Sequence, residues 1–248
     1  MILQRFLALA SILLLSLACQ TAYASPGGSP RQADAAGLLP PAKSALQIEV
    51  GDQGRPSLGQ MLRQLGQATG VTFTSIDSVE QQLESRPCGV LSSVTVPPER
   101  AWLWVESLLE QEGFTLGILS ASEPWLVAVY MHPMAGRPNV HVSVSVPAAR
   151  IEALAEHPAL LVTTTLELPH TDVRQLGNSL RGLTTDPTGQ QNVVPVGNTN
   201  SVILTGTGRS VHQLVTLLEE IDAREAVAQE RRAQEGRQAG AQGEGDAR

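Results

Sequence analysis

The chain has 248 residues, 42% hydrophobic and 17% charged, with a formal net charge of −7. That acidity, with Lys43 as the sole lysine, excludes a nucleic-acid partner, because phosphate recognition needs a concentrated Lys/Arg surface. Aromatic residues make up only 3% of the chain, so any core must be built from Leu, Val, Ile and Ala.

Arg5 precedes an apolar run from Phe6 to Ala18, the pattern of a signal peptide. A membrane-crossing helix needs roughly 20 predominantly apolar residues, and this run breaks at Gln20 and Thr21. Ala22-Tyr23-Ala24 offers small residues where a signal peptidase cuts, so residues 1–24 are expected to be removed, leaving Ser25 as the mature start. The alternative is a lipid anchor on Cys19, for which Ser16-Leu17-Ala18 is a poor lipobox because the leucine stands one place too close to the cysteine. Further along, no apolar stretch is long enough to span a membrane. Loss of Cys19 leaves Cys88 without a partner, which excludes a disulfide framework and a cysteine-based zinc site and makes Cys88 a buried small hydrophobe, with intermolecular pairing as the alternative.

Residues 25–44 are rich in Pro, Gly, Ala and Ser and are expected to form a flexible leader. The first folded block, 45–130, opens with the alternating strand Leu46 to Val50. Ser57 and Gln60 form a capping box for a helix whose apolar stripe is Leu58, Met61, Leu62, Leu65 and Ala68, ended by Gly70. Val71 to Thr74 is a second strand, residues 75–89 a polar stretch, and residues 90–96 a third strand. Pro97-Pro98 introduces a helix with Ala101, Trp102, Val105, Leu108 and Leu109 at helical spacing. Phe114 to Leu119 and Trp125 to Tyr130 pair as a hairpin. This order predicts a small sheet with two helices on one face.

Pro and Gly at 131–139 mark a linker. The second block, 140–223, starts with the period-two strand Val140 to Val146, followed by a short helix at 148–156 and a strand from Leu160 to Leu168. Thr171 is placed as a helix cap with Asp172 in the first turn and Val173, Leu176, Leu180 and Leu183 on the buried face. A turn at 186–189 and a hairpin of 193–196 with 201–205 around Gly197 to Asn200 follow. A last helix runs from Ser210 to about Asp222, burying Val211, Leu214, Val215, Leu218 and Ile221. Residues 224–248 form a polar tail, expected to be partly helical where it continues this helix or disordered, because it has almost no apolar side chains to bury. The predicted class is α+β: two small βαββα-type modules, mixed sheets with helices packed on one face.

Leu166 to Leu176, then Asn198 to Gly206, then Val211 to Asp222 resemble a periplasmic module of secretins, the ring-forming outer-membrane channels of bacterial secretion and pilus systems. The motif is a strand, a small-polar helix start, an "N-x-lilxG" strand and a helix ending in "lD". Residues 46–119 are similar to the short amino-terminal domain shared by secretins and TonB-dependent transducers, matching its "LxxLxxqxG" pattern from Ser57 to Phe73 and its "eeALdalLxxtGL" pattern from Pro98 to Leu116. Unlike a secretin, the chain stops at Arg248 in a polar tail, with no channel domain. The resemblance implies a KH-like fold for the second module. Gly206-Thr207-Gly208 does not make the Gly-x-x-Gly loop of an RNA-binding KH module. The implied partners are other proteins: a secretin, secretion-system subunits, or copies of the same chain in a ring.

No nucleophile elbow, phosphate loop or dinucleotide fingerprint is present. His132, His141, His157, His170 and His212 lack metal-ligand spacing and are expected as surface or capping residues. Glu106, Glu110 and Glu112 share a helix, where a solvated acidic face is the expectation. No catalytic residue, cofactor or metal is therefore assigned. The candidate partner contacts are Trp104, which points about 200° away from Trp102 around the helix, and Val142, Val144, Val202 and Leu204 on valine-rich strands able to lie at a sheet edge. Burial of Trp104 under a neighbouring strand is the competing placement. The expected function is non-catalytic assembly in the periplasm or at the outer membrane, with a signal-sensing module of the transducer type as the alternative.

Overall fold

Ser57 starts the first helix as its side chains dictate: its Oγ accepts from the N–H of Gln60 at 3.1 Å, and the Gln60 side-chain Oε1 accepts from the N–H of Ser57 at 3.1 Å. In the computed structural model, residues 37–50, 55–131, 143–176, 192–196 and 199–245 are described. Helix α1 (Leu58–Thr69) follows, buries all five residues of the predicted stripe, and closes at Gly70, whose φ of 79° is the left-handed conformation glycine tolerates best.

Around α1 stand β1 (Leu46–Ile48), β2 (Thr72–Thr74), α2 (Asp77–Ser85), β3 (Val94–Val96), α3 (Ala101–Gln111), β4 (Phe114–Ser120) and β5 (Leu126–Met131). The first block divides its strands between two sheets rather than placing them in one: β1 pairs antiparallel with β3, and β2-β5-β4 forms the second, with β2 parallel to β5. The hairpin of β4 and β5 is as predicted. Two local expectations are corrected. The polar stretch contains α2, because Val79 and Leu83 stand four apart and both bury against the core. The third strand is confined to Val94–Val96, the three residues that pair with Leu46–Ile48 of β1, and Leu91 beyond it is 75% exposed.

The end of the presumed flexible leader is also folded. Leu38 and Leu39 are buried, the indole N–H of Trp102 donates to the Pro40 carbonyl at 2.8 Å, and the Lys43 N–H donates to the Ala68 carbonyl at 2.7 Å. Two adjacent leucines bury enough apolar surface to hold a strap that composition alone presents as a linker.

The second block contains β6 (Val144–Ser145), a 3₁₀ segment (Ala148–Glu156), β7 (Leu161–Glu167), β8 (Asn192–Pro195), β9 (Ser201–Thr207) and α4 (Gly208–Gly245). Its sheet runs β6-β7-β9-β8, with β6 parallel and the other pairs antiparallel. Helix α4 covers one face with Val211, Val215 and Leu218. It continues far past Asp222: the Ala, Arg, Glu and Gln of residues 223–235 are strong helix formers, and extending an existing helix needs no new nucleus. The predicted remainder of the strand at 140–142, the helical positions Leu180 and Leu183, the turn at 186–189 and Gly197-Asn198 lie outside the described residues, as does the signal segment.

The predicted helix start at Thr171 shifts by one residue. Asp172 is the cap, its Oδ1 accepting from the N–H of Arg174 at 2.9 Å and its carbonyl from Leu176 at 3.0 Å. The Thr171 hydroxyl is engaged elsewhere, donating at 2.8 Å to Oδ1 of Asp222, which also accepts from the His170 N–H at 2.9 Å.

One contiguous hydrophobic cluster runs from Leu38 to Leu218 and spans both blocks. Along their join, β4 meets the entry to β7 in a single parallel bridge between Leu116 and Leu160.

Candidate functional site

Strand β9 lies between β7 and β8, with β7 paired along its whole length and β8 along Val202 to Thr205, so it is an interior strand rather than an edge. Val202 and Leu204 are 1% and 0% exposed and face α4, opposite Leu166 and Thr164 of β7. Their placement as partner contacts is thereby corrected: they are core. The side chains that β9 turns outward are of the other parity. Ile203, half-buried, stands between exposed Thr165 and Val194, the latter 43% exposed, on the open face. A one-residue change in parity exchanges every side chain between the two faces of a strand.

The free edge belongs to β8, and its chemistry can be read from the ladder. Val196 N–H donates to the Ser201 carbonyl at 2.9 Å, so in this antiparallel pair Val196 and Val194 point their main-chain groups at β9. Val193 and Pro195 therefore point theirs away from the sheet. Pro195 has no N–H to offer there, a placement that removes an outward donor without losing an internal bond.

Val144 is half-buried against the core on β6, the opposite edge, and Val142 lies outside the described residues. Trp104 is half-buried and also packs on the core. Trp102 is 6% exposed, as its place in the apolar stripe requires.

The acidic residues of α3 are not a solvated face. Glu106 is 0% exposed; its Oε1 lies 2.8 Å from Nδ1 of His157, and its Oε2 accepts from the Ala159 N–H at 3.0 Å. Glu110 accepts from Nε of Arg209 at 2.6 Å, and Glu112 faces Arg86 at 3.7 Å. Each carboxylate thus has a structural partner. His157, expected at the surface, is 7% exposed and packs edge-on against Trp102 with ring centroids 6.0 Å apart. A signal existed in the sequence: a 3₁₀ helix repeats every three residues, and Ile151, Leu154 and His157 share that spacing.

A groove of about 680 Å³ runs between α1, α2 and β2, floored by Leu62, Phe73, Leu83 and Val129. Arg63 and Glu84 pair across its rim in a two-pronged contact, the second prong 3.2 Å long. The hydrogen bond from Arg63 holds the Glu84 carboxyl below the usual carboxylate range, and the same bond holds the Arg63 guanidinium above its ordinary value. Cys88 is 1% exposed, as a small buried hydrophobe. Among the described residues no three His, Cys, Asp or Glu side chains gather as metal ligands, and no helix is long and apolar enough to cross a membrane.

Residues 163–227 match the family model of the bacterial type II/III secretion system short domain, the secretin N-terminal type. No curated protein matches the chain. Among solved structures it is similar to the Klebsiella pneumoniae type II secretion system outer membrane complex of PulD, PulS and the PulC HR domain, with 17% identity, a TM-score of 0.47, and coverage of 68% of this chain and 26% of that one. The GspC-GspD complex of enterotoxigenic Escherichia coli is 12% identical with a TM-score of 0.27, covering 73% and 99%. The N-terminal domain of the Pseudomonas aeruginosa secretin XcpQ is 12% identical with a TM-score of 0.23, covering 72% and 64%. The chain thus spans about a quarter of the length of the PulD-complex chain it matches. Over residues 163–227, then, this protein is similar to the short domain of bacterial type II/III secretion systems.

Proposed function

We propose that this protein is a non-catalytic component of a secretin-type secretion or pilus system that works by protein–protein assembly, with residues 45–130 and 140–223 as its two modules. The match of residues 163–227 to the secretion-system short domain carries this reading. Its partners are a secretin, other secretion-system subunits or copies of itself. It acts in the periplasm or at the outer membrane after removal of residues 1–24, with acylation of Cys19 as the competing route. Trp104 and Val144 remain contact candidates, and the open face of the second sheet adds Thr165, Val194 and Ile203, which its strand parity turns outward.

Size-exclusion chromatography with light scattering, together with co-purification from the producing bacterium, tests the reading. An oligomer, or recovery with a secretin or secretion subunit, supports it; a monomer that comes down alone sinks it. Mass spectrometry of the mature amino terminus distinguishes a start at Ser25 from a lipidated Cys19.

A further inference from the structure

The segment from His157 to Leu160 receives contacts from both blocks. From the first block, Glu106 holds His157 and the Ala159 N–H, and the Leu116 N–H donates to the Ala159 carbonyl at 2.9 Å. From the second, the Gly208 N–H donates to the Leu160 carbonyl at 2.8 Å and the Arg209 N–H to the Pro158 carbonyl at 3.3 Å. Arg209 then reaches back across the join to Glu110 at 2.6 Å and Ser107 at 3.4 Å. Gly208 is pressed so close that a Cβ there would stand 2.0 Å from the His157 carbonyl oxygen. Trp102 completes the join, packing against His157 at a steep interplanar angle of 66° while its indole N–H is held by Pro40.

From this convergence we infer that Glu106 and the His157–Leu160 segment form a lock that fixes the two blocks as one rigid body, so that their surfaces are presented in a single relative orientation. A fully buried carboxyl group demands its partners, because a buried polar group left without hydrogen bonds is destabilising. That demand makes the join specific where apolar packing alone would allow sliding. Glu106 and Gly208 are positioning residues, acting through the 157–160 segment. The purpose of the lock rests on the assembly reading; its existence does not.

Spin labels on cysteines introduced at exposed Ser78 in α2 and exposed Glu219 in α4 report the distance between the blocks in the purified full chain carrying Cys19→Ser, with Cys88 too buried to label. The wild type is expected to give one narrow distance. Glu106→Leu, which removes both acceptors at similar size, is expected to broaden it and to speed exchange of the Ala159 amide roughly tenfold to a hundredfold. Gly208→Ala, which drives a methyl into the His157 carbonyl, is expected to broaden it as well. A broad wild-type distribution overturns the lock, as does a folded Glu106→Leu protein with wild-type distance and exchange. Should Glu106→Leu fail to fold, a narrow wild type with a broadened Gly208→Ala supports the lock, and an unchanged Gly208→Ala overturns it. Both readouts are made on the isolated protein, so failure to find an assembly partner leaves their outcome standing.

Discussion

Asp222 stands where the family pattern ends its helix in an acidic residue, and it offers a quantitative test of what that residue does. Its side chain is 8% exposed, and one oxygen accepts from both the His170 N–H at 2.9 Å and the Thr171 hydroxyl at 2.8 Å. Hydrogen bonds to a charged acceptor are worth about 1.5 to 3 kcal/mol each when one partner is removed. The Thr171 hydroxyl is buried, but the His170 N–H is only part-buried and water can replace some of its bond. Asp222→Ala should therefore destabilise the protein by about 2 to 4 kcal/mol. Asp222→Asn keeps an acceptor oxygen and should lose only about 1 kcal/mol. Urea unfolding followed by circular dichroism measures both. The Thr171→Val and Asp222→Ala double-mutant cycle should return a coupling of about 1 to 2 kcal/mol. An Asp222→Ala loss below about 0.5 kcal/mol, in the range of ordinary surface substitutions, would refute the assignment of Asp222 as the clamp on residues 170–171.

The Arg63–Glu84 pair predicts a pH dependence whose sign follows from Glu84 being held below its unfolded value. Its contribution is present above the unfolded carboxylate range near about pH 4 and is lost as pH falls through the lower folded value. Both side chains are substantially exposed, so the effect is at most about 1 kcal/mol; urea midpoints between pH 7 and pH 3 should fall less in Glu84→Gln than in wild type, and equal falls would contradict the pairing. At the sheet edge, Pro195→Thr restores an outward N–H on β8 and should raise self-association at unchanged monomer stability. Sedimentation velocity across a concentration series reads this, and a Pro195→Thr protein no more associated than wild type would show that proline is not what protects the edge.

Where the outcome depended on spacing within one element, the sequence was legible. The Ser57–Gln60 box, the stripe of α1, the left-handed Gly70 and the β4–β5 hairpin all follow from local rules, and all are found. What failed depended on neighbours that are distant in sequence. Glu106 looks like one of three surface carboxylates until His157, 51 residues away, folds against it. Leu38 and Leu39 look like linker residues because their burial is supplied by α3, which brings Trp102 to Pro40. Thr171 and Asp172 are both good caps in isolation, and only Asp222, 51 residues from Thr171, decides which of them is free to cap. Val202 and Leu204 sit on a strand that its valine-rich sequence allows at a sheet edge, whereas β7 and β8 flank β9 and both side chains face the core, a placement set by pairing with distant strands.

The corrected parity bears on how the second block can associate at all. Strand β9 is flanked by β7 and β8, and the outward main-chain register of β8 passes through Pro195, so strand addition at that edge lacks a donor where the ladder needs one. Association of this sheet by that edge would then have to rely on side chains rather than on a shared ladder. The open face around Thr165, Ile203 and Val194 is small and mixed in polarity, and a contact of that kind gains affinity chiefly when its parts are held in advance in one geometry. Rigid coupling through Glu106 and His157 would provide that, by adding the surface of the first block to the second without an ordering penalty at the moment of assembly. Loosening the lock should accordingly weaken association even when every contact residue is left in place.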